Sequence, residues 1–336
     1  QKDLPRQENG QSTLVRRIKT TSPRCARGTA VCDEGLSRQV GPRTGDPHRA
    51  SPGPPSVAWI ADGSLTALAS GKESFDDFTA AGGRVVFSAQ DATHALDLHA
   101  IDAAGRRRLT TLNPQLARFR LSAPESFDFW SADGERLAAL LYKPVGFDPA
   151  RPAPVITYVY EKMTPQAHRF SAQYQVFLNH GFAMLLPNVK VKTGATATSF
   201  VKCVVPAVNA VRAMGVGNGR FGLWGGSFGA YATSYLITQT DIFAAAVSRA
   251  TPPELHRNWA SGRDRDSRNI ESGQARMGGS PFEHPERYLS QSAFFHLDKV
   301  STPVLIVHGE RDTTIPAVRG CGSRRSATRT RDARFR

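Results

Sequence analysis

The stretch RFGLWGGSFGAY, residues 220–231, decides the fold. Residues 221–224 form a short apolar run rich in aromatics, which predicts a strand. Residues 230–238 contain no Gly or Pro and predict a helix. Between them Ser227 sits in the pattern Gly225-x-Ser227-x-Gly229. A strand that turns straight into a helix reverses so tightly that glycine is expected on either side of the serine. The turn lifts the hydroxyl out of the sheet and sets it beside the N–H groups that open the helix, which are donors suited to an oxyanion. The five-residue pattern alone is common by chance. Its weight comes from the strand before it and the helix after it.

A second stretch, PVLIVHGERDTTIP at 303–316, reads as a buried strand ending in His308-Gly309 with an acid three positions further on. Where a serine occupies a strand-to-helix elbow, the acid that orients the base follows it in sequence and sits on the loop after a later strand. Asp312 fits that place, 85 residues beyond Ser227. Its expected role is to hold an imidazole in one tautomer and to stabilise the imidazolium. His308 precedes the acid within the strand and reads as a structural residue at the strand end.

Around these two stretches, strands and helices alternate. Residues 154–160, 182–187, 221–224, 243–247 and 303–308 read as strands, and 199–214 and the segment after Ser227 as helices. Such alternation predicts a mostly parallel sheet covered by helices on both faces, an α/β-hydrolase sheet. Residues 251–300 show no clear period and read as an insertion on the active-site side. Upstream, 57–60 and 65–68 flank an Asp62-Gly63 turn, with further short strands at 84–88, 95–101 and 107–110. Another hairpin is expected over 127–131 and 135–142. The predicted organisation is a basic, disordered or poorly packed segment at 1–55, an antiparallel propeller-like β remnant at 56–121, an incomplete hydrolase domain at 122–318 and an arginine-rich tail at 319–336.

Charge follows the same division. The chain carries a formal net charge of +14. Residues 1–56 contribute +5 and residues 319–336 contribute +6, which leaves +3 on the 262 residues between them. The basicity therefore lies in segments of low apolar content, which argues against nucleic-acid binding by the folded part. No apolar run approaches the ~18 residues of a membrane span. Cys25, Cys32, Cys203 and Cys321 have no zinc or Cys-x-x-Cys spacing and read as structural thiols.

Residues 225–231 and 308–312 together give the chain a resemblance to the prolyl oligopeptidase family of serine peptidases. The resemblance extends over roughly 56–318. It includes the junction around RRLTTLNP, ESFDFWSADG and LLYKP, and the segment Pro285-Glu286-Arg287-Tyr288 with Ser290 and Ser292. It implies peptide or small-ester cleavage through an acyl-enzyme on Ser227, with no metal or organic cofactor. It also implies two oxyanion donors, the N–H of Phe228 and the hydroxyl of Tyr160. The family usually continues that strand as Tyr-Gly-Gly-Pro. Here it runs Glu161-Lys162-Met163-Thr164-Pro165 and then His168-Arg169-Phe170, which resembles a less typical branch.

The family places its histidine after the acid, and none of the nine histidines here follows Asp312. The chain therefore reads as truncated at both ends, with no triad histidine found. The alternative expectation is a catalytically inactive fragment or pseudoenzyme. His168, His256 and His296 stay open as substitutes, since no spacing selects one.

Overall fold

A computed structural model of the chain describes residues 29–33, 56–61, 64–70, 72–81, 83–252 and 254–315. The chain divides into two units. One is Gln1–Phe119 with His168–Phe170, and the other is Arg120–Ala167 with Ser171–Arg336. The arginine-rich tail, most of the basic N-terminal segment and the Asp62-Gly63 turn lie outside the described residues.

The first unit is antiparallel β-structure. β1 (Thr29–Asp33), β2 (Ser56–Ala61) and β3 (Ser64–Ser70) form one sheet in that order. β1 lies in the segment for which composition predicts no regular structure. A five-residue strand among Arg, Pro and Gly leaves too little alternation to read. β4 (Ser74–Ala81), β5 (Arg84–Gln90), β6 (Asp97–Asp102) and β7 (Gly105–Arg108) form a four-stranded meander. β4 escapes the sequence reading because its polar Asp76-Asp77 pair falls at a register shift, where Asp77 takes a φ of 32°. Phe75, Val85, Phe87 and Ala89 make the meander's small core. Arg106 spans that core, pairing with both Glu73 oxygens at 2.6 and 2.9 Å.

The second unit is a seven-stranded sheet. It comprises β8 (Glu125–Trp130), β9 (Arg136–Tyr142), β10 (Ala153–Tyr158), β11 (Ala183–Pro187), β12 (Gly217–Gly226), β13 (Phe243–Arg249) and β14 (Val304–Val307). The spatial order is β14-β13-β12-β10-β11-β9-β8. β8 and β9 form the predicted hairpin and add antiparallel to β11, while β11, β10, β12, β13 and β14 run parallel. Helices α1 (Ala172–Asn179), α2 (Thr196–Ala213) and α3 (Phe228–Gln239) alternate with these strands. This is the expected α/β-hydrolase sheet, preceded by antiparallel strands.

Among the parallel strands β10 and β11 are nearly continuous in apolar residues, whereas β12 opens on Gly-Asn-Gly-Arg and the outermost strand β14 is half exposed. β11 is buried at all five positions. Phe200, Val204, Leu223, Phe221, Tyr231 and Leu236 join it in one core. The segment 251–300, expected to be an insertion without period, holds α4 (Leu255–Trp259), α5 (Asp264–Glu271), α6 (Pro285–Ser290) and a 3₁₀ turn, Ala293–Lys299. Helices of five to eight residues complete too few turns to show a 3.6-residue repeat. Among the described residues no helix is long and apolar enough to cross a membrane.

The entry of the chain into this unit is clasped by one side chain. Gln175 of α1, only 5% exposed, accepts from Ser122 N–H at 3.0 Å and donates to Ser122 C=O at 2.8 Å. Gln175→Leu removes both partners of that residue's backbone, and the expected loss is about 1–3 kcal/mol. Urea unfolding followed by tryptophan fluorescence reads it, and an unchanged midpoint contradicts the clasp.

Candidate active site

Parallel pairing brings the carboxyl ends of the central strands to one edge. Tyr158 of β10 is in register with Trp224 of β12, Gly226 of β12 with Arg249 of β13, and Arg249 with Val307 of β14. The residues that follow these ends, Tyr160, Ser227 and the loop with Asp312, therefore leave the sheet at the same edge. In open α/β sheets that edge is where ligands bind.

Ser227 joins β12 to α3 with φ 54° and ψ −118°, a conformation rare for a residue with a side chain. It is exposed, while Gly225, Gly226 and Phe228 to Ala230 around it are buried. The N–H of Ser227 donates to Arg249 C=O at 2.8 Å, and its own carbonyl accepts from Ala230 and Tyr231 at 2.9 and 3.1 Å. The peptide is thus tied down on both sides, and the side chain makes no capping bond to the helix. Phe228 opens α3, so its N–H has no partner one turn earlier and stays available to an anion.

The two flanking glycines answer to close approach. A Cβ on Gly225 would stand 2.2 Å from the Gly229 carbonyl oxygen, and one on Gly229 would stand 2.1 Å from the Val159 carbonyl oxygen. α3 is seated against the ends of β10 and β12 so closely that backbone meets backbone.

Tyr160 lies two residues beyond β10, which ends at Tyr158 rather than at Tyr160 itself. Its hydroxyl accepts from Gln274 Nε2 at 3.3 Å, and its ring meets the Phe228 ring edge-on at 6.1 Å. Glu161, in the departure from the family's usual sequence, pairs with Arg276 at 2.7 Å. That pairing ties the loop after β10 to the 251–300 segment.

Asp312 Oδ1 accepts from the N–H groups of Thr314 at 2.8 Å and Ile315 at 2.9 Å. The Ile315 bond above all, with the Thr314 bond and His308 nearby, outweighs desolvation and holds the carboxyl below the usual aspartate range. Oδ2 lies 3.9 Å from His308 Nε2, which instead donates to Ile315 C=O at 2.6 Å. His308 Nδ1 is buried without a hydrogen-bond partner. His308 thus braces the loop that carries Asp312.

A cavity of about 280 Å³ opens beside Ser227 and Phe228. Asn258, Arg265, Asp266, Asn269 and Gln274 form one wall, and Thr314 and Ile315 another. The polar wall comes from the segment without periodicity, so no sequence signal marked it. Among the described residues no histidine lines this cavity. His256 sits 3.0 Å from Glu254 and stacks on Phe295, His296 lies 3.2 Å from Ser290 C=O, and His168 belongs to the first unit.

The sheet order, the carboxyl-edge convergence and the elbow define the α/β-hydrolase fold. Residues 168–322 match the sequence model of the prolyl oligopeptidase family, so this part of the chain is of peptidase lineage. A curated relative, an uncharacterized peptidase named YuxL from Bacillus subtilis, is 25% identical over 226 residues, covering 62% of this chain and 34% of the relative. The acylaminoacyl peptidase of Pyrococcus horikoshii is similar in structure, with a TM-score of 0.75 at 20% identity over 90% of this chain and 48% of that one. A puromycin-hydrolyzing peptidase of Mycobacterium tuberculosis gives a TM-score of 0.71 at 20% identity, over 90% of this chain and 47% of that one. The chain thus spans about half the length of these solved structures and a third of the curated relative.

The elbow geometry makes a graded expectation. Gly229→Ala drives a methyl into a carbonyl oxygen and should cost about 3 kcal/mol or more. Gly222→Ala on the same strand, where the nearest atom is 3.8 Å away, should stay within about 1 kcal/mol of wild type. Equal urea midpoints for the two variants would contradict the close seating of α3.

Proposed function

We propose that this chain is a serine-type peptidase or esterase that cleaves a peptide or ester bond through an acyl-enzyme on Ser227. The observation that carries the reading is the exposed, left-handed Ser227, held between two glycines that admit no side chain. A serine has little structural reason to occupy such a conformation, and backbone strain of this kind costs about 1–3 kcal/mol.

In this reading Ser227 Oγ attacks the carbonyl carbon and passes its proton to a base. The oxygen that gains charge takes the Phe228 N–H and the Tyr160 hydroxyl, while Asp312 orients the base. The proton goes on to the leaving amine or alcohol, and water then releases the acyl group from Ser227. No residue of this chain is nominated as the base. A serine hydroxyl without one stays protonated and reacts slowly at neutral pH. The substrate is a peptide or small ester. Support comes from the family match, from the shared strand edge and from the cavity beside the serine.

Hydrolysis of p-nitrophenyl acetate by the 336-residue chain tests this, once circular dichroism shows a folded sample. The expected rate exceeds about 10³–10⁴ over the uncatalysed reaction, the level that oxyanion donors and binding sustain without a working nucleophile. Ser227→Ala should lower it to that level, and Tyr160→Phe should lower it by about 10²-fold. Turnover that survives Ser227→Ala in full sinks the assignment.

A further inference from the structure

Arg263, just ahead of α5, is bound to the loop that bears Asp312. Its Nη1 donates to Thr313 C=O at 2.7 Å and its Nη2 to Thr314 C=O at 3.1 Å. The guanidinium is held from its other side by Asp266, whose Oδ2 accepts Nε at 2.9 Å and Nη2 at 2.6 Å. Ser261 Oγ donates to the same oxygen at 2.8 Å. Arg263 therefore arrives at the loop in a fixed plane, on a segment whose neighbours Arg265, Asp266 and Asn269 line the cavity beside Ser227.

The peptide group that contains the Thr313 carbonyl also contains the Thr314 N–H, and the one that contains the Thr314 carbonyl also contains the Ile315 N–H. Those are the two N–H groups that Asp312 Oδ1 accepts. Two consecutive peptide groups thus stand between a cation and an anion, each with its oxygen toward Arg263 and its hydrogen toward Asp312. A peptide dipole so placed is stabilised at both ends, and hydrogen bonds in series polarise one another. A guanidinium fork suits two adjacent carbonyls, whereas an ammonium offers a point charge without that planar match.

We propose that Arg263 is a positioning residue for Asp312, acting through the 313–314 and 314–315 peptide groups to hold the carboxylate in place beside the Ser227 cavity. Its meaning for catalysis rests on the assignment of Asp312 as the acid, but its physical content does not. A carboxylate held in its charged form is favoured at any pH above the ordinary aspartate value. The hold is lost as pH falls through the lower folded-state value. Besides Arg263, His308 faces Asp312 among the described residues, 3.9 Å away.

The test is a ¹³C-carboxyl NMR titration of Asp312, its resonance assigned by loss in Asp312→Asn. It compares wild type, Arg263→Ala and Arg263→Lys. The Asp312 midpoint should move up in Arg263→Ala and by a smaller amount in Arg263→Lys. A midpoint unchanged in a folded variant overturns the proposal. A urea-unfolding cycle at pH 7 with Arg263→Lys and Asp312→Asn supplies the reading away from acid. Losses in the double variant smaller than the sum of the singles are expected, and additive losses also overturn the proposal. Fluorophosphonate labelling of Ser227 separates the two questions. A labelling rate indifferent to Asp312→Asn removes Asp312 from catalysis and leaves the titration result standing.

Discussion

Everything at the candidate site depends on how closely the start of α3 lies against the strand ends. The Val159 carbonyl oxygen occupies the space a Cβ on Gly229 would need, and the Gly229 carbonyl oxygen does the same to Gly225. These contacts leave no room to relax the turn, so Ser227 keeps its φ of 54°. The strain persists because the surroundings over-determine it: α3 is buried from Phe228 through Thr238, and Ser227 is hydrogen-bonded through both its N–H and its carbonyl. A helix buried on every face, its polar Ser234 bonded to Ser248 and Thr251, sits at the centre of the domain. The posture of Ser227 is thus a consequence of core packing.

The rest of the site follows from register. Because β10, β12, β13 and β14 run parallel, one edge receives the residues that come after all four. The oxyanion candidates, the serine and the acid-bearing loop meet there despite lying up to 152 residues apart in sequence. The 251–300 segment then closes the wall, and two of its arginines bind it to the neighbouring loops. Arg276 holds Glu161 after β10, and Arg263 holds the carbonyls after Asp312. The cavity wall is therefore fastened to the residues on either side of it by charge, over a sheet held together by apolar burial.

What was legible in the sequence was what local rules dictate. Gly225, Ser227 and Gly229 could be read because a tight strand-to-helix turn restricts residue types at adjacent positions. β14 and its Asp312 loop could be read because an apolar run ends abruptly in His-Gly, but the strand is not the buried one expected: β14 ends the sheet order and Leu305 and Val307 are 49% and 43% exposed. The hairpin of β8 and β9 showed its turn residues, Asp133-Gly134, and Gly134 has the expected positive φ of 73°. Strand limits were less legible. β12 starts at Gly217, since its first residues carry glycine and asparagine that read as a turn, and β10 stops short of Tyr160.

The cavity wall was illegible for a different reason. Gln274, Arg263 and Asp266 matter through partners 50 to 114 residues away, or through a helix of eight residues. Nothing in their own neighbourhood favours one polar residue over another. Arg263-Asp264-Arg265-Asp266 reads as a solvated charge run, and its alternating signs would suit an exposed helix face equally well. Only the fold distinguishes them: Arg263 and Asp266 turn inward to each other and to the Asp312 loop, while Arg265 stays 67% exposed. The constraint on Ser227 is steric and written into its neighbours, whereas the constraint on Arg263 is electrostatic and set by the topology that delivers its partner.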